Sequence, residues 1–387
     1  MKNWQEATQP TFDRRYLNIV KRWWIDIDKI NFLLVISLII FGLIMVASAS
    51  PAVATRISTE KLFFVKKQLL FTFVAIFTIT FISFFDKQKI KVLSIFGMAS
   101  CLILLLLVLV LGSEAKGAKR WIMLMGFSIQ PSEFAKVFFV IFNAFLLQKL
   151  RNFKWIIQYG SSASLYLMMV ALLILQPDFG MTLVFTAIWL IQLFIFGLPL
   201  ILIFVFSIIG IAGGITAYFT LPHVAGRINK FLNFNESNYQ VERAVDGYVN
   251  GGFFGTGPTG GIVKQHIPDA HTDFIFAVVA EEFGLITCLF LMVIFAFIIT
   301  RVIRSALQEH DLFSKLAIVG LISQIALQTL INIGVSIGML PTKGMTMPFI
   351  SYGGSSLVAV SIGFGIILAL TRKKYHDKIN YDNVTMI

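Results

Sequence analysis

His271-Thr272-Asp273-Phe274-Ile275-Phe276-Ala277-Val278-Val279-Ala280-Glu281-Glu282-Phe283-Gly284 is the end of a polar loop that runs without a break into an apolar helix. Such a stretch belongs at a membrane boundary, and this one carries three carboxylates. An acid at a bilayer centre costs about 2.5–3.5 kcal/mol, so acids in such a segment are functional suspects. Asp273 falls where water and lipid meet. A group there can reach both a polar and a lipid-borne substrate.

Outward from this stretch, apolar runs of helical length recur along the 387 residues. Ten spans can be read, near 31–50, 68–85, 92–112, 132–148, 160–176, 179–196, 199–219, 273–300, 315–339 and 353–371. Each is close to the roughly 20 residues that cross a bilayer. The runs are too long for the alternating segments of about ten residues that build a barrel. With 57% hydrophobic and only 13% charged residues, and a mean hydropathy of +0.83, the chain lacks the polar surface of a soluble protein of its length. The expected fold is an all-α polytopic membrane protein. The first 29 residues are polar and basic and the first apolar run is long enough to span, so no cleavable signal peptide is expected. Cys101 and Cys288 both lie inside apolar runs, and no structural disulfide is expected.

The net charge of +12 fits a membrane protein with basic loops. The basic residues form no long stripe, which excludes a nucleic-acid partner. If the N-terminus is inside, the inside segments hold 19 Lys and Arg and the outside loops 12, with Lys136 within a span. N-in, C-in is therefore the expected orientation. The domain reading is a cytoplasmic tail over 1–30, a transmembrane domain over 31–371 and a second cytoplasmic tail over 372–387. Loops 113–131, 220–272 and 340–352 then share the outer face. The middle one, between spans seven and eight, is the one loop expected to hold structure of its own. Its Gly-rich part, 247–261, reads as turns and mobility.

Several constellations bear on chemistry. Thr272 or Asp273 could cap the helix, or Asp273 could be catalytic, favoured in its ionised form by the helix dipole. At +4, +7 and +11 from Asp273, Ala277, Ala280 and Gly284 make one small helix face, fit for close packing or a substrate groove. Glu281 and Glu282, roughly 12 Å further along, read as structural acids tied to partners on neighbouring helices, far from the outer loops. Lys116-Gly117-Ala118-Lys119-Arg120-Trp121 is either an interfacial anchor or a phosphate clamp. It lacks the Gly-Lys-Ser/Thr of an ATP loop. In Gln130-Pro131-Ser132-Glu133-Phe134-Ala135-Lys136, proline opens a helix and Glu133 pairs with Lys136 at i,i+3, both at a membrane mouth. Pro341-Thr342-Lys343-Gly344 and Ser351-Tyr352-Gly353-Gly354-Ser355-Ser356 bracket the last span as an anion site or a packing turn. Gly255 to Gly260 matches a dinucleotide fingerprint by letters alone, and the five histidines form no metal-spaced set.

These motifs, with Gln176-Pro177-Asp178-Phe179-Gly180 and Pro348-Phe349-Ile350, occur in the order seen in the SEDS family (shape, elongation, division, sporulation), which the chain resembles from residue 31 to 372. Thr342-Lys343-Gly344 makes it more similar to the division branch than to the elongation branch. The resemblance implies ten membrane helices and peptidoglycan glycosyltransferase activity on lipid II, the lipid-linked disaccharide-peptide, with release of undecaprenyl pyrophosphate. A lipid II flippase, or a non-catalytic division scaffold, is the alternative. It implies a class B penicillin-binding transpeptidase and other division membrane proteins as partners, in the bacterial cytoplasmic (inner) membrane at the septum. Asp273 matches the family's essential acid. Arg120 and Lys343 match basic positions for the pyrophosphate, and a divalent cation, Mg or Mn, could accompany it. The expected substrate-binding set is Lys119, Arg120, Lys136, His271, Thr272, Lys343, Ser351, Tyr352, Ser355 and Ser356. In one departure, Lys264-Gln265-His266 supplies no second carboxylate.

Overall fold

The computed structural model describes residues 18–115, 118–124, 126–220, 225–226, 229, 239–341 and 344–372. Helices α1 (Ile19–Asp26), α2 (Lys29–Arg56), α3 (Phe63–Ser83) and α4 (Lys87–Leu111) come first. They are followed by α5 (Pro131–Lys149), α6 (Trp155–Leu175), α7 (Phe179–Phe196) and α8 (Leu200–Thr220). After α9 (Tyr239–Gly251) come α10 (Ile275–Leu307), α11 (Leu312–Ser336) and α12 (Gly354–Thr371).

All ten expected spans are helices. Among the described residues nine of them, α2–α4, α6–α8 and α10–α12, are long and apolar enough to cross a membrane. The tenth, α5, has Glu133, Lys136 and Lys149 among its 19 residues. Yet Lys136 is wholly buried and Glu133 nearly so, which puts both charges inside the protein and leaves lipid to the apolar side chains.

The bundle is organised around α5, α11 and α12. In α11 and α12, 72% of the most apolar stretch is buried, against 28% in α3 and α6. Small residues permit the close approach: a Cβ on Gly320 of α11 would lie 2.6 Å from Val140 of α5 and 2.8 Å from Gln192 of α7. A buried polar network joins the same helices. Ser162 donates to Asn143 (2.7 Å), Asn143 to Gln192 (3.0 Å), and Gln192 to the carbonyls of Val140 (2.9 Å) and Leu316 (3.2 Å). With lipid outside, a polar side chain left without a partner would be costly, and here each finds one on a neighbouring helix.

At one end of the bundle, ion pairs fasten the short turns. Arg301 holds Asp28 (2.8 Å), Lys87 holds Asp311 (3.1 Å), and Arg372 reaches Asp86 (3.2 Å). Trp23 of α1 donates to Ser83 (2.8 Å) and stacks on Phe84 with ring centres 4.8 Å apart. The segment read as a polar tail thus includes a docked amphipathic helix. Its start and the end of α12 meet at the same end of the bundle.

The opposite end holds the loops, and there the fold departs from expectation. Loop 113–131 is not plain loop: β1 (Ser113–Ala115), β2 (Ala118–Leu124) and β3 (Phe127–Ile129) form an antiparallel sheet in the order β1-β2-β3. The loop after α8 does hold structure, as expected, but it is not alone in this. Gly247 and Gly251, read as turn residues, lie in helix α9. A Cβ on Gly251 would meet Glu281 Cα at 2.7 Å. The small face of Ala277 and Ala280 is therefore filled by α9, which settles close packing over a groove.

The largest correction concerns α10. Gly284 breaks it, with φ 78° and ψ 173°. The backbone groups freed at the break bond to the loop that follows α9. Leu285 N donates to Gly252 O (3.0 Å), Thr256 N to Glu281 O (2.9 Å) and Gly257 N to Glu282 O (3.0 Å). Such pairing is what membrane depth demands of non-helical backbone. Counting about 1.5 Å per residue, Ser48 stands roughly 29 Å above the start of α2, and Asn332 roughly 30 Å above the start of α11. Ser48 bonds Glu282 and Asn332 bonds Asp273. Glu282 and Asp273 thus lie at similar heights, and residues 275–283 cross the bundle end instead of descending through it. The two glutamates are next to the loop that follows α9, not remote from it.

Candidate active site

Three segments converge at the loop end: the β-sheet, residues 261–273, and residues 344–353 leading into α12. Ser351 and Ser355 join them. Ser351 Oγ donates to Thr272 O (2.6 Å) and accepts from Met347 N (2.8 Å). Ser355 Oγ accepts from Gln130 N (3.1 Å) and donates to Ser128 O (3.3 Å). Ser356 accepts from Thr346 (2.7 Å). The three hydroxyls are thus engaged in holding loops, and what they build is the wall of a site.

Asp273 stands at the centre of this convergence. The N-cap of α10 is Phe274, with no side-chain cap, and Thr272 Oγ1 donates to Asp269 O (3.1 Å). The N-cap position of α10 thus falls to Phe274, not to Thr272 or Asp273. Asn332 of α11 donates to the Asp273 carbonyl (2.9 Å) and to that of Met345 (2.7 Å). Gly344 passes so close that a Cβ there would sit 3.2 Å from Asp273 Oδ2. The Asp273 side chain is half-buried.

His271 flanks it. Its ring lies 4.5 Å from that of Phe64 and 5.1 Å from that of Tyr352, and its carbonyl accepts from Tyr352 N (2.8 Å). Burial lowers its pKa to about 4, helped by Arg56 and opposed by Asp269. The imidazole is neutral at pH 7, and its Nδ1 is buried without a hydrogen-bond partner. Burial also raises Tyr352 to about 12, so it stays a phenol.

Arg120 projects from β2 onto the turn between α6 and α7. Its Nε donates to Gln176 O (3.3 Å), one Nη to Pro177 O, and the other lies 3.6 Å from Asp178, the N-cap of α7. Lys119 is exposed on the same strand. Lys136 lies 2.9 Å from Glu133, without the alignment of a hydrogen bond. Lys343 lies outside the described residues, as do Lys116 and Gly117. Among the described residues no three His, Cys, Asp or Glu side chains gather to hold a metal ion.

Sequence reasoning missed Asn332, Phe64 and Lys264. Gln324, Gln328 and Asn332 are spaced by four on one face of α11, all buried. A polar stripe inside an apolar span was the available signal. Lys264, noted only as a missing carboxylate, is buried against Glu282 and Ser48.

Fold and site define a multi-pass membrane protein with a half-buried acid at a loop convergence above its bundle. Residues 28–376 match the FtsW/RodA/SpoVE family model, described as cell cycle protein. The chain belongs to that family, as its motifs suggested. It is 35% identical over 354 residues to the probable peptidoglycan glycosyltransferase FtsW of Caulobacter vibrioides, covering 91% of each chain. It is equally identical to the stage V sporulation protein E of Bacillus subtilis, over 89% of this chain and 97% of that protein. Among solved structures, a chain of a peptidoglycan synthase complex that coordinates polymerization and crosslinking superposes with TM-score 0.77 at 28% identity, over 92% of this chain and all of that one. The rod shape determining protein RodA of Thermus thermophilus gives 0.67 at 26% identity, over 91% of this chain and 99% of that one.

Proposed function

We propose that this membrane enzyme, a peptidoglycan glycosyltransferase of cell division, polymerises lipid II with Asp273 as general base. Asp273 takes the proton of the acceptor sugar's 4-hydroxyl. The oxygen attacks the donor's anomeric carbon, and undecaprenyl pyrophosphate leaves. The centre inverts to a β-1,4 link. A hydroxyl is a poor nucleophile near neutral pH, and a positioned base contributes typically 10²–10⁴-fold. The leaving group is already activated, so no covalent enzyme intermediate is required. Lys119, Arg120 and Lys343 would meet its developing charge.

One observation carries the assignment. At this end of the bundle Glu133, Glu281 and Glu282 are buried. Asp273 is half-buried at the point where three loops are cross-tied. A general base must be held still and yet be reached by substrate. The loop face would be extracytoplasmic, with both termini inside. A class B penicillin-binding transpeptidase is the partner we infer, and the septum the place of work. The likeness to a chain of a peptidoglycan synthase complex supports that partner.

The test is Asp273→Asn, purified with the transpeptidase and given lipid II in detergent. The expected result is loss of glycan chains with retained binding of the partner. Polymer at the wild-type rate would overturn the role of Asp273. A flippase or a scaffold predicts no polymer from the wild-type complex in detergent.

A further inference from the structure

The far end of the helical segment that begins beside Asp273 is closed by a buried charged cluster that the reaction does not use. Residues 275–282 are all buried. Glu281 and Glu282 end this segment just before the break at Gly284. Glu282 accepts from Lys264 Nζ and from Ser48 Oγ of α2, and Lys264 Nζ also reaches Ser48 Oγ (2.9 Å). Glu281 accepts from the backbone of Val263 (2.7 Å) and Lys264 (2.8 Å) and from Asn250 Nδ2 (3.0 Å). The side chains of Lys264 and Glu282 are only 6% and 1% exposed.

We propose that Glu281, Glu282, Lys264 and Ser48 form a positioning lock for the catalytic carboxylate. The inference rests on the reading of Asp273 as general base. A helical segment ending at a left-handed glycine has little intrinsic resistance to swinging about it. Direction must then come from its other contacts. The lock ties one end of the segment to α2 through Ser48, to the loop through Lys264 and Val263, and to α9 through Asn250. Asn332 ties the Asp273 end to α11. With both ends held, the carboxylate has one direction. A buried ion pair is weak evidence for stability, since apolar side chains of similar volume do as well. What it supplies here is a defined pairing between a loop residue and a helix residue, which apolar packing would not specify. None of these residues touches the reacting atoms in this scheme. They act through the placement of Asp273.

The experiment compares Glu282→Gln, Lys264→Met, the reversed pair Lys264→Glu with Glu282→Lys, and Asp273→Asn, each purified with the transpeptidase. Lipid II polymerisation is measured per mole of folded complex, with kcat and KM separated. Lock variants are expected to lose on the order of 10²-fold in kcat, as for a misplacement of about 1 Å, with KM unchanged and the reversed pair regaining most of the loss. Wild-type kcat per folded complex in both single variants would overturn the lock, even if yields fall. So would a reversed pair as slow as the singles. If Glu282→Gln does not fold, Asn250→Ala takes its place, with a smaller kcat loss expected and wild-type kcat overturning the lock. Asp273→Asn separates the two claims. If it is inactive while the lock variants are fully active, only the lock fails. If it is active, the general-base reading fails.

Discussion

Asn332 on α11 holds the backbone carbonyl of Asp273 at 2.9 Å and that of Met345 at 2.7 Å with the same amide nitrogen. One side chain in a membrane helix thereby joins the segment bearing Asp273 to the segment that passes beside it. Asn332→Leu removes both bonds, at about 1–3 kcal/mol for the loss of the donor to the buried Met345 carbonyl. The expected outcome is a fall in polymerisation of roughly 10²-fold with an unchanged affinity for the transpeptidase. Lipid II turnover alongside a partner pull-down in detergent checks it.

Arg120 makes contacts within the protein that its motif did not reveal. Its fork grips Gln176 O, Pro177 O and Asp178, which pins the sheet to the turn between α6 and α7. Arg120→Lys keeps the charge but not the fork. Thermal stability in detergent should fall by about 1–2 kcal/mol. Asp178→Asn should be non-additive with it, because the two share one network. A residue serving only the pyrophosphate would instead raise KM and leave the melting curve in place.

Hydropathy alone located ten helices, because a bilayer allows few alternatives to helices of that length. Asp273 and the small face beside it were legible for the same local reason: a polar loop met an apolar helix. The break at Gly284 was not. Glu281-Glu282-Phe283-Gly284-Leu285 reads as uninterrupted helix, and the groups that satisfy the broken backbone lie about 30 residues earlier, in Gly252, Phe253 and Thr256. Arg120's partners are likewise tertiary. Gly247 and Gly251 were misread although their spacing of four is a helix-packing signal. In a Gly-rich stretch the turn reading came first.

His271 carries a pH dependence whose sign follows from burial. Its folded pKa, about 4, lies below the ordinary 6.5. Between these values the unfolded chain binds a proton that the folded one does not. Stability from the neutral ring is therefore complete above pH 6.5 and is lost as the pH falls through 4. At pH 5 the loss should be about 2 kcal/mol. His271→Phe keeps a ring against Phe64 and Tyr352 and removes the titration. Melting temperatures measured from pH 7.5 to 5 should fall less in this variant than in the wild type. Parallel slopes would refute the buried neutral ring.

Gly247 and Gly251 lie on the same helix face and should respond oppositely to alanine. A Cβ on Gly247 would stand 3.4 Å from Ala277 O, an ordinary contact, whereas one on Gly251 would meet Glu281 Cα at 2.7 Å. Alanine at 247 gains helix propensity, up to about 1 kcal/mol, without a clash. At 251 it would force α9 away from residues 275–283, at about 1–3 kcal/mol. That movement would strain the bonds from Asn250, Val263 and Lys264 to Glu281 as well. Gly251→Ala should thus lower both melting temperature and polymerisation rate, while Gly247→Ala leaves the rate unchanged and the melting temperature equal or higher. Equal effects at the two positions would mean that α9 does not pack along residues 275–283 in this register.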